Sequence, residues 1–536
     1  MSLASLSHER SGANALNLGL CKRKGRTSEN RVSRKVWSAI VSPLPTAPPQ
    51  LCRTEILLLA ISLVVVIVYF ASVSRNSPGF FVDEASIAYN AYTISQNGVD
   101  EHGYTFPLYF RAFGEYKNPV YIYLLAALFW FTGESVLVAR ALSAVLGLVA
   151  AILLGLLAAR IARRRWAGLL VFIVVLLTPW MFEVSCLVFE VSVFPALLSG
   201  FLLLLYQASR REEWSWRLAA ALGVLLGLMT YTYSIGRLLA PLFALGLSFF
   251  LTRRGWRGVV LTWIVFGVML LPLASFSWQN PGALSERYKF VTYVRPGDTR
   301  TQTAARFVKN YVRNFSPRSW LIKGDPEPRH HLPGMGSLLV GMVILAALGF
   351  VLVLIRHRRE AWWRFILYGL AVSPIPASLT LDHFHTLRLV ALPISLFVLT
   401  APAIEFLSSK TRPRKGIRRL FLVAVILLML VQGGIFQRQF HTASARADAF
   451  DSYYPELLNA ALARTERPIY LLDKTPAAYV YAFWYATLRG LDLKNFQRAF
   501  IDAPPPAGAV VISHELPCTN CEMIIERGQF RVYVQR

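Results

Sequence analysis

Two adjacent carboxylates, Asp83 and Glu84, stand a few residues beyond a long apolar run, within Gly79-Phe-Phe-Val-Asp83-Glu84-Ala-Ser-Ile-Ala-Tyr89-Asn-Ala-Tyr92. Acids at this position can simply cap a helix and complement its dipole. A carboxylate held partly desolvated at a membrane edge can also serve as a general base. Later in the same loop Lys117 precedes an apolar stretch, where a lysine either snorkels or binds a phosphate. Glu190 lies near the end of another apolar run, a costly place for an ionisable group. Arg237, Arg329, His330, His331 and Arg388 add cationic and imidazole groups in segments that border apolar runs. One chemistry uses all of these types. A hydroxyl gives its proton to a carboxylate as it attacks carbon, while cations take up the charge of a departing phosphate.

The elements that must hold these residues are membrane spans. Of 536 residues, 55% are apolar or aromatic and only 16% are charged, against about 25% charged in soluble domains. Apolar runs recur as far as residue 437, which excludes a soluble enzyme, a disordered scaffold and a single-pass receptor. The net charge of +26 does not indicate nucleic acid, because the basic residues cluster in short segments between apolar runs, as expected of cytoplasmic loops. Spans are expected near 55–73, 137–159, 167–181, 188–207, 218–235, 238–252, 258–277, 337–355, 362–378, 389–408 and 420–437. The connections assigned to the cytoplasm, with the N-terminal tail, carry 29 of the 56 Lys and Arg. The stretch Pro119–Phe131 has 13 residues, too few to cross a core that needs about 20. It is expected to lie in the outer interface.

The fold class expected is therefore an all-α polytopic membrane protein of eleven spans in the plasma membrane, with its N-terminus inside and its C-terminus outside. Residues 1–54 read as a basic cytoplasmic tail rather than a cleaved signal peptide, and 55–437 as the transmembrane domain with outer loops 74–134 and 279–336. Residues 438–536 read as a small outer α/β domain, with strands at Pro468–Leu472, Ala507–Ile512 and Phe530–Val534 around a helix at Pro476–Leu488. The loop 279–336 holds ten Lys and Arg against four Asp and Glu, an excess suited to an anionic substrate.

An ordered set of motifs carries a resemblance. The Asp-Glu pair, Lys117-Asn-Pro-Val-Tyr121-Ile-Tyr123, Val138-Ala-Arg140-Ala-Leu-Ser143, Thr178-Pro-Trp180 and Tyr231-Thr-Tyr-Ser-Ile-Gly236-Arg237 are followed by Ser316-Pro317, Arg329-His330-His331, Ser373-Pro-Ile-Pro376 and His385-Thr-Leu-Arg388. In order and spacing, across roughly residues 55 to 400, these resemble the polyprenyl-phosphate-sugar-dependent glycosyltransferases of the C superfamily (GT-C), the protein O-mannosyltransferase and lipid A aminoarabinose transferase group. The resemblance implies a first-loop base at Asp83, beside Glu84, and a carrier-phosphate contact at Lys117. Here the lysine sits in Lys-Asn-Pro, where the aminoarabinose enzymes have Lys-Pro-Pro. Ser185-Cys186 stands where many bacterial relatives have Ser-Arg, and Glu190 stands near a second carboxylate of the aminoarabinose enzymes. Arg237, Arg329, His330 and Arg388 are further candidates for the donor phosphate, and Tyr89 and Glu190 for substrate contact.

The expected partners are a polyprenyl-phosphate sugar donor, a lipid, glycan or protein acceptor, and the bilayer, with no nucleic acid. These residues assign no cofactor. A divalent metal is possible, with Asp382, His383 and His385 joining the adjacent pair His330-His331. Cys518-Thr-Asn-Cys521 has no second pair to complete a zinc site and is expected to be an outer-face disulfide. Two other classes compete with the transferase. A ligase using a diphosphate-linked donor would lack the early Asp-Glu pair. A transporter would have internal repeats and charges deep within its spans.

Overall fold

The structure is a computed structural model, and it describes residues 52–75, 77–409, 414–442, 446–474, 478–517 and 520–536. The expected N-terminal tail lies almost wholly outside the described residues, as does Cys518. Each of the eleven expected spans falls on a helix. Seven helices are long and apolar enough to cross a membrane: Arg53–Val73, Val136–Ala162, Glu190–Ser209, Trp256–Gln279, Val340–His357, Ala391–Ser408 and Lys415–Thr442. Arg165–Leu177 and Pro179–Ser185 make an eighth if counted as one span, bent by 66°. The bend follows from Thr178-Pro179: the residue before proline is driven extended, and proline itself suits a first helical turn. The other three expected spans ride on shorter helices, Trp216–Thr230, Gly236–Phe250 and Ala361–Val372. There the sequence reading ran through the breaks at 231–235 and 373–374.

The first loop opens with the helix Val82–Asn97. The Glu84 carboxylate accepts the Phe81 backbone N–H at 2.9 Å, and Gly98, with φ of 69°, closes the helix in the left-handed region. A short hairpin follows, β1 (Phe110–Ala112) against β2 (Glu115–Lys117), pairing Phe110 with Lys117. Pro119 then starts the expected short helix, Pro119–Thr132, which ends at Gly133.

The C-terminal region forms a five-stranded sheet from β3 (Ile469–Asp473), β4 (Phe496–Ala499), β5 (Val510–His514), β6 (Cys521–Arg527) and β7 (Phe530–Gln535). The order is β4-β3-β5-β7-β6, with β3 parallel to β4 and β5, and β7 antiparallel to β5 and β6. The helices Tyr454–Leu462 and Ala478–Leu488 pack with it. Cys521 is disulfide-bonded.

This sheet is no appendage. One apolar core holds the membrane helices together, and a second is shared by the first-loop helices and the C-terminal sheet. Fully buried Trp484 lies stacked against Phe80 at 5.7 Å and Phe129 at 6.1 Å. Gly79 passes so close to the backbone of Phe450 and Ser452 that any Cβ there would collide. Arg53–Arg536 accordingly forms one compact unit.

Candidate functional site

The helix Val82–Asn97 and hairpin strand β2 bring Asp83 and Lys117 together, with Lys117 Nζ 2.6 Å from Asp83 Oδ1. The lysine is buried, whereas the Asp83 side chain keeps 35% of its exposure, so the carboxylate is the accessible member of the pair. Burial pushes the Asp83 carboxyl up, but the Lys117 ammonium, with Arg329 and Arg287 in electrostatic reach, outweighs it and holds Asp83 below its usual range. Burial pulls Lys117 down, and Asp83, Glu190 and Glu115 more than reverse this. The pair is therefore ionic at neutral pH.

Glu84 has another role. It has no solvent exposure, and its second oxygen accepts the Val188 N–H at 3.0 Å. Arg140 lies 3.6 Å away and donates to the Ser77 and Gly79 carbonyls. Expected to be catalytic together with Asp83, it is a buried anchor that caps its helix and ties the first loop to the 187–190 turn. Adjacent residues on a helix do not share a face, so only Asp83 of the pair reaches the open side.

Glu190 is gripped by Asn118, whose N–H and Nδ2 lie 2.7 and 2.8 Å from its two oxygens. Both of its oxygens are thus engaged by Asn118. Arg237 still lies in electrostatic reach of Glu190 while donating to the Leu284 carbonyl at 3.2 Å and covering the Tyr109 ring. Tyr233, between two short helices, is within reach of Arg388, Glu190, Arg287 and Glu115. Arg329 stacks on Phe81 at 4.5 Å and pairs with Glu327 at 2.7 Å. Arg388 pairs with Asp382 and donates to Thr380 Oγ1 at 2.9 Å. Asp83 thus has Lys117 in contact and Arg329 and Arg287 in electrostatic reach, cations from three separate segments.

Tyr89 is turned elsewhere. Its ring meets Phe483 at 5.6 Å and Tyr92 at 6.5 Å, and its charged neighbour is Glu101 rather than Asp83. There Tyr479 donates to Glu101 Oε2 at 2.9 Å, linking the C-terminal region to the loop after the Asp83 helix.

The two adjacent histidines also part company. His331 is fully buried, with Nδ1 2.7 Å from Glu183 and Nε2 2.7 Å from the Met335 carbonyl oxygen. His330 faces His385, ring centroids 4.7 Å apart, with Asp325 beside them. Of the expected metal partners only His385 joins His330. Asp382 is taken by Arg388, and His383 meets Arg313 at 3.1 Å. The sequence reading missed Asp325, Glu183 and Arg287. Nothing in their local pattern marks them, since their partners come from remote segments. Asn118 was visible only as the odd residue in Lys-Asn-Pro.

This arrangement of helices and C-terminal sheet has solved counterparts. The chain is similar in structure to ArnT from Cupriavidus metallidurans bound to undecaprenyl phosphate, with TM-score 0.55 and 14% identity, covering 89% of this chain and 97% of that one. ArnT from the same organism in the apo state gives the same TM-score and coverage at 13% identity. In sequence, no family model and no curated protein matches the chain. The likeness is one of fold.

Proposed function

We propose that this protein is an integral-membrane, inverting glycosyltransferase that moves a monosaccharide from a polyprenyl-phosphate carrier to an acceptor hydroxyl on the outer membrane face. The observation that carries this reading is the Asp83–Lys117 pair: a part-exposed carboxylate beside a buried ammonium, with Arg329 and Arg287 in electrostatic reach. The GT-C fold supports it, since a similar structure, that of ArnT, holds undecaprenyl phosphate. Residues 74–134, 279–336 and the C-terminal sheet would lie together on the outer side, with the N-terminus inside.

In the resting protein Lys117 neutralises Asp83. A carrier phosphate reaching Lys117 competes for its ammonium, which frees the carboxylate and raises its basicity. The acceptor oxygen then bonds to the anomeric carbon as the carbon–oxygen bond to phosphate breaks. The hydroxyl proton passes to Asp83, and the bonding pair leaves with polyprenyl phosphate, whose added charge Lys117, Arg329, Arg388 and Arg237 stabilise. Direct displacement inverts the anomeric centre. A lipid, a glycan or a protein hydroxyl is compatible with this scheme.

The test is release of free polyprenyl phosphate, in membrane vesicles, from a panel of labelled polyprenyl-phosphate sugars. Release with one sugar, lost in Asp83→Asn, supports the transferase and names the donor. An intact panel with both proteins, together with a diphosphate-linked glycan accumulating in a deletion strain, would transfer the reading to a ligase.

A further inference from the structure

Asp325, His330 and His385 come from two separated loops, yet one ligating atom from each lies within 4.8 Å of the others. Among the described residues, the Nδ1 atoms of His330 and His385 are both buried without a hydrogen-bond partner. Asp325 Oδ2 lies 3.6 Å from His330 Nδ1, beyond hydrogen-bonding reach. Two orphaned imidazole nitrogens facing one carboxylate are a costly arrangement that calls for an ion or a water. The neighbouring His331 is the contrast, since both of its nitrogens are satisfied at 2.7 Å.

The surroundings hold this group in place. Asp325 Oδ2 accepts from Thr386 N at 2.7 Å and Thr386 Oγ1 at 2.8 Å, while Oδ1 accepts from Glu327 N at 3.0 Å. Such outer contacts orient a ligating carboxylate. The segment carrying His330 is pinned on both sides: buried Arg446 donates to the Pro328 and Arg329 carbonyls, and Glu183 accepts the Leu332 N–H at 2.7 Å. The cations nearest His385 carry their own counter-ions, Arg388 with Asp382 and Arg329 with Glu327. They therefore do not leave the cluster with uncompensated positive charge.

We propose that Asp325, His330 and His385 bind a divalent transition-metal cation of the zinc class. Two imidazoles and a carboxylate suit zinc and its neighbours rather than magnesium or calcium. Three protein ligands leave a fourth position open, as in sites where a metal takes up a water or a substrate oxygen. Tetrahedral ligation at about 2.0–2.1 Å needs ligand atoms about 3.3 Å apart, so the metal draws the three side chains inward. The site adjoins the candidate centre through Arg329, one residue before His330, and through Phe189, which meets His330 edge-on at 6.2 Å. The proposal does not depend on the transferase reading, because metal binding is measured without turnover.

The experiment uses the full chain in detergent, stripped with a chelator, dialysed and titrated with Co2+ as a spectroscopic probe. One equivalent per chain is expected, with visible ligand-field bands that Zn2+ displaces. His385→Ala should weaken binding by about 100-fold or more, and Thr386→Val, which removes one outer contact, by about tenfold. His383→Ala, at a histidine outside the cluster, should leave binding unchanged. Thermal midpoints of the metal-free proteins check folding, and Zn2+ should raise the midpoint of wild type but not of His385→Ala. Unchanged Co2+ affinity in a folded His385→Ala protein, or no stoichiometric binding by wild type, would overturn the assignment. Should His385→Ala fail to fold, the Thr386→Val protein decides: an affinity equal to wild type rejects the site.

Discussion

Asn118 hydrogen-bonds both oxygens of Glu190, with its backbone N–H at 2.7 Å and its side-chain amide at 2.8 Å, one residue after Lys117 reaches Asp83. Consecutive residues thus address two carboxylates from different elements. The Asn118–Glu190 contact fixes where strand β2 ends, and so where Lys117 points. Asn118→Pro deletes both donors and leaves Glu190 buried without these partners. The lost bonds should cost about 1–3 kcal/mol each, seen as a lower thermal midpoint. Asn118→Ala removes one donor and should cost less. Equal midpoints for wild type and Asn118→Pro would mean that Glu190 finds other donors.

The Asp83–Lys117 pair sets a pH dependence. The folded carboxyl titrates below its unfolded value of about 3.9. Its contribution to stability is therefore fully present above that value and is lost as pH falls through the lower folded pKa. Wild type should exceed Asp83→Asn in thermal midpoint at pH 7, and the gap should close below about pH 4. For the same reason protonation of Asp83 in the resting protein should impose no acid limb on activity between pH 5 and 8. A gap independent of pH would mean that Asn replaces the contact rather than the charge.

Much of this arrangement could be read from the sequence. Apolar runs give helices wherever backbone groups must satisfy one another in lipid, so each expected span has its helix, and Pro119 begins a short one. Asp83 and Lys117 were identified because each ends or begins a recognisable local element. Glu84 was misjudged because its partners, Val188 and Arg140, come from elements far along the chain, and adjacency to Asp83 conceals opposite facings. Tyr89 failed likewise: Phe483 lies almost 400 residues away, and no local pattern announces that the terminal helix packs on the first loop. The same holds for His330 and His331, identical in type and adjacent, yet one is satisfied by Glu183 and the other is not.

Glu183 and His331 are both without solvent exposure. Glu183 also accepts the Leu332 N–H, so it holds the segment that carries Arg329 and His330 against the bent helix pair. Glu183→Ala strands a buried imidazole and a buried N–H. The loss expected on breaking such a pair is about 3–5 kcal/mol, with faster proteolysis within 325–336. Glu183→Gln keeps an acceptor for Leu332 and should recover part of the loss. Protease resistance equal to wild type in Glu183→Ala would show that Arg446 alone pins the segment.

Glu101 tests the contact between the first loop and the C-terminal region. Burial raises its carboxyl, and the hydrogen bonds from Asn90 and Tyr479 only partly offset this. A raised acid supports the fold below its unfolded pKa of about 4.3 and loses that support as pH climbs through the folded value. Glu101→Gln is neutral at every pH and still accepts from Asn90. It should therefore raise the thermal midpoint at pH 8, where ionisation of Glu101 favours the unfolded wild type. The difference should vanish near pH 4, where both side chains are neutral. The loss in wild type is expected to start at this contact, so Trp484 fluorescence should change before the helical signal as an alkaline sample is heated. A Glu101→Gln protein less stable than wild type at pH 8 would mean that the charged Tyr479–Glu101 bond outweighs its desolvation.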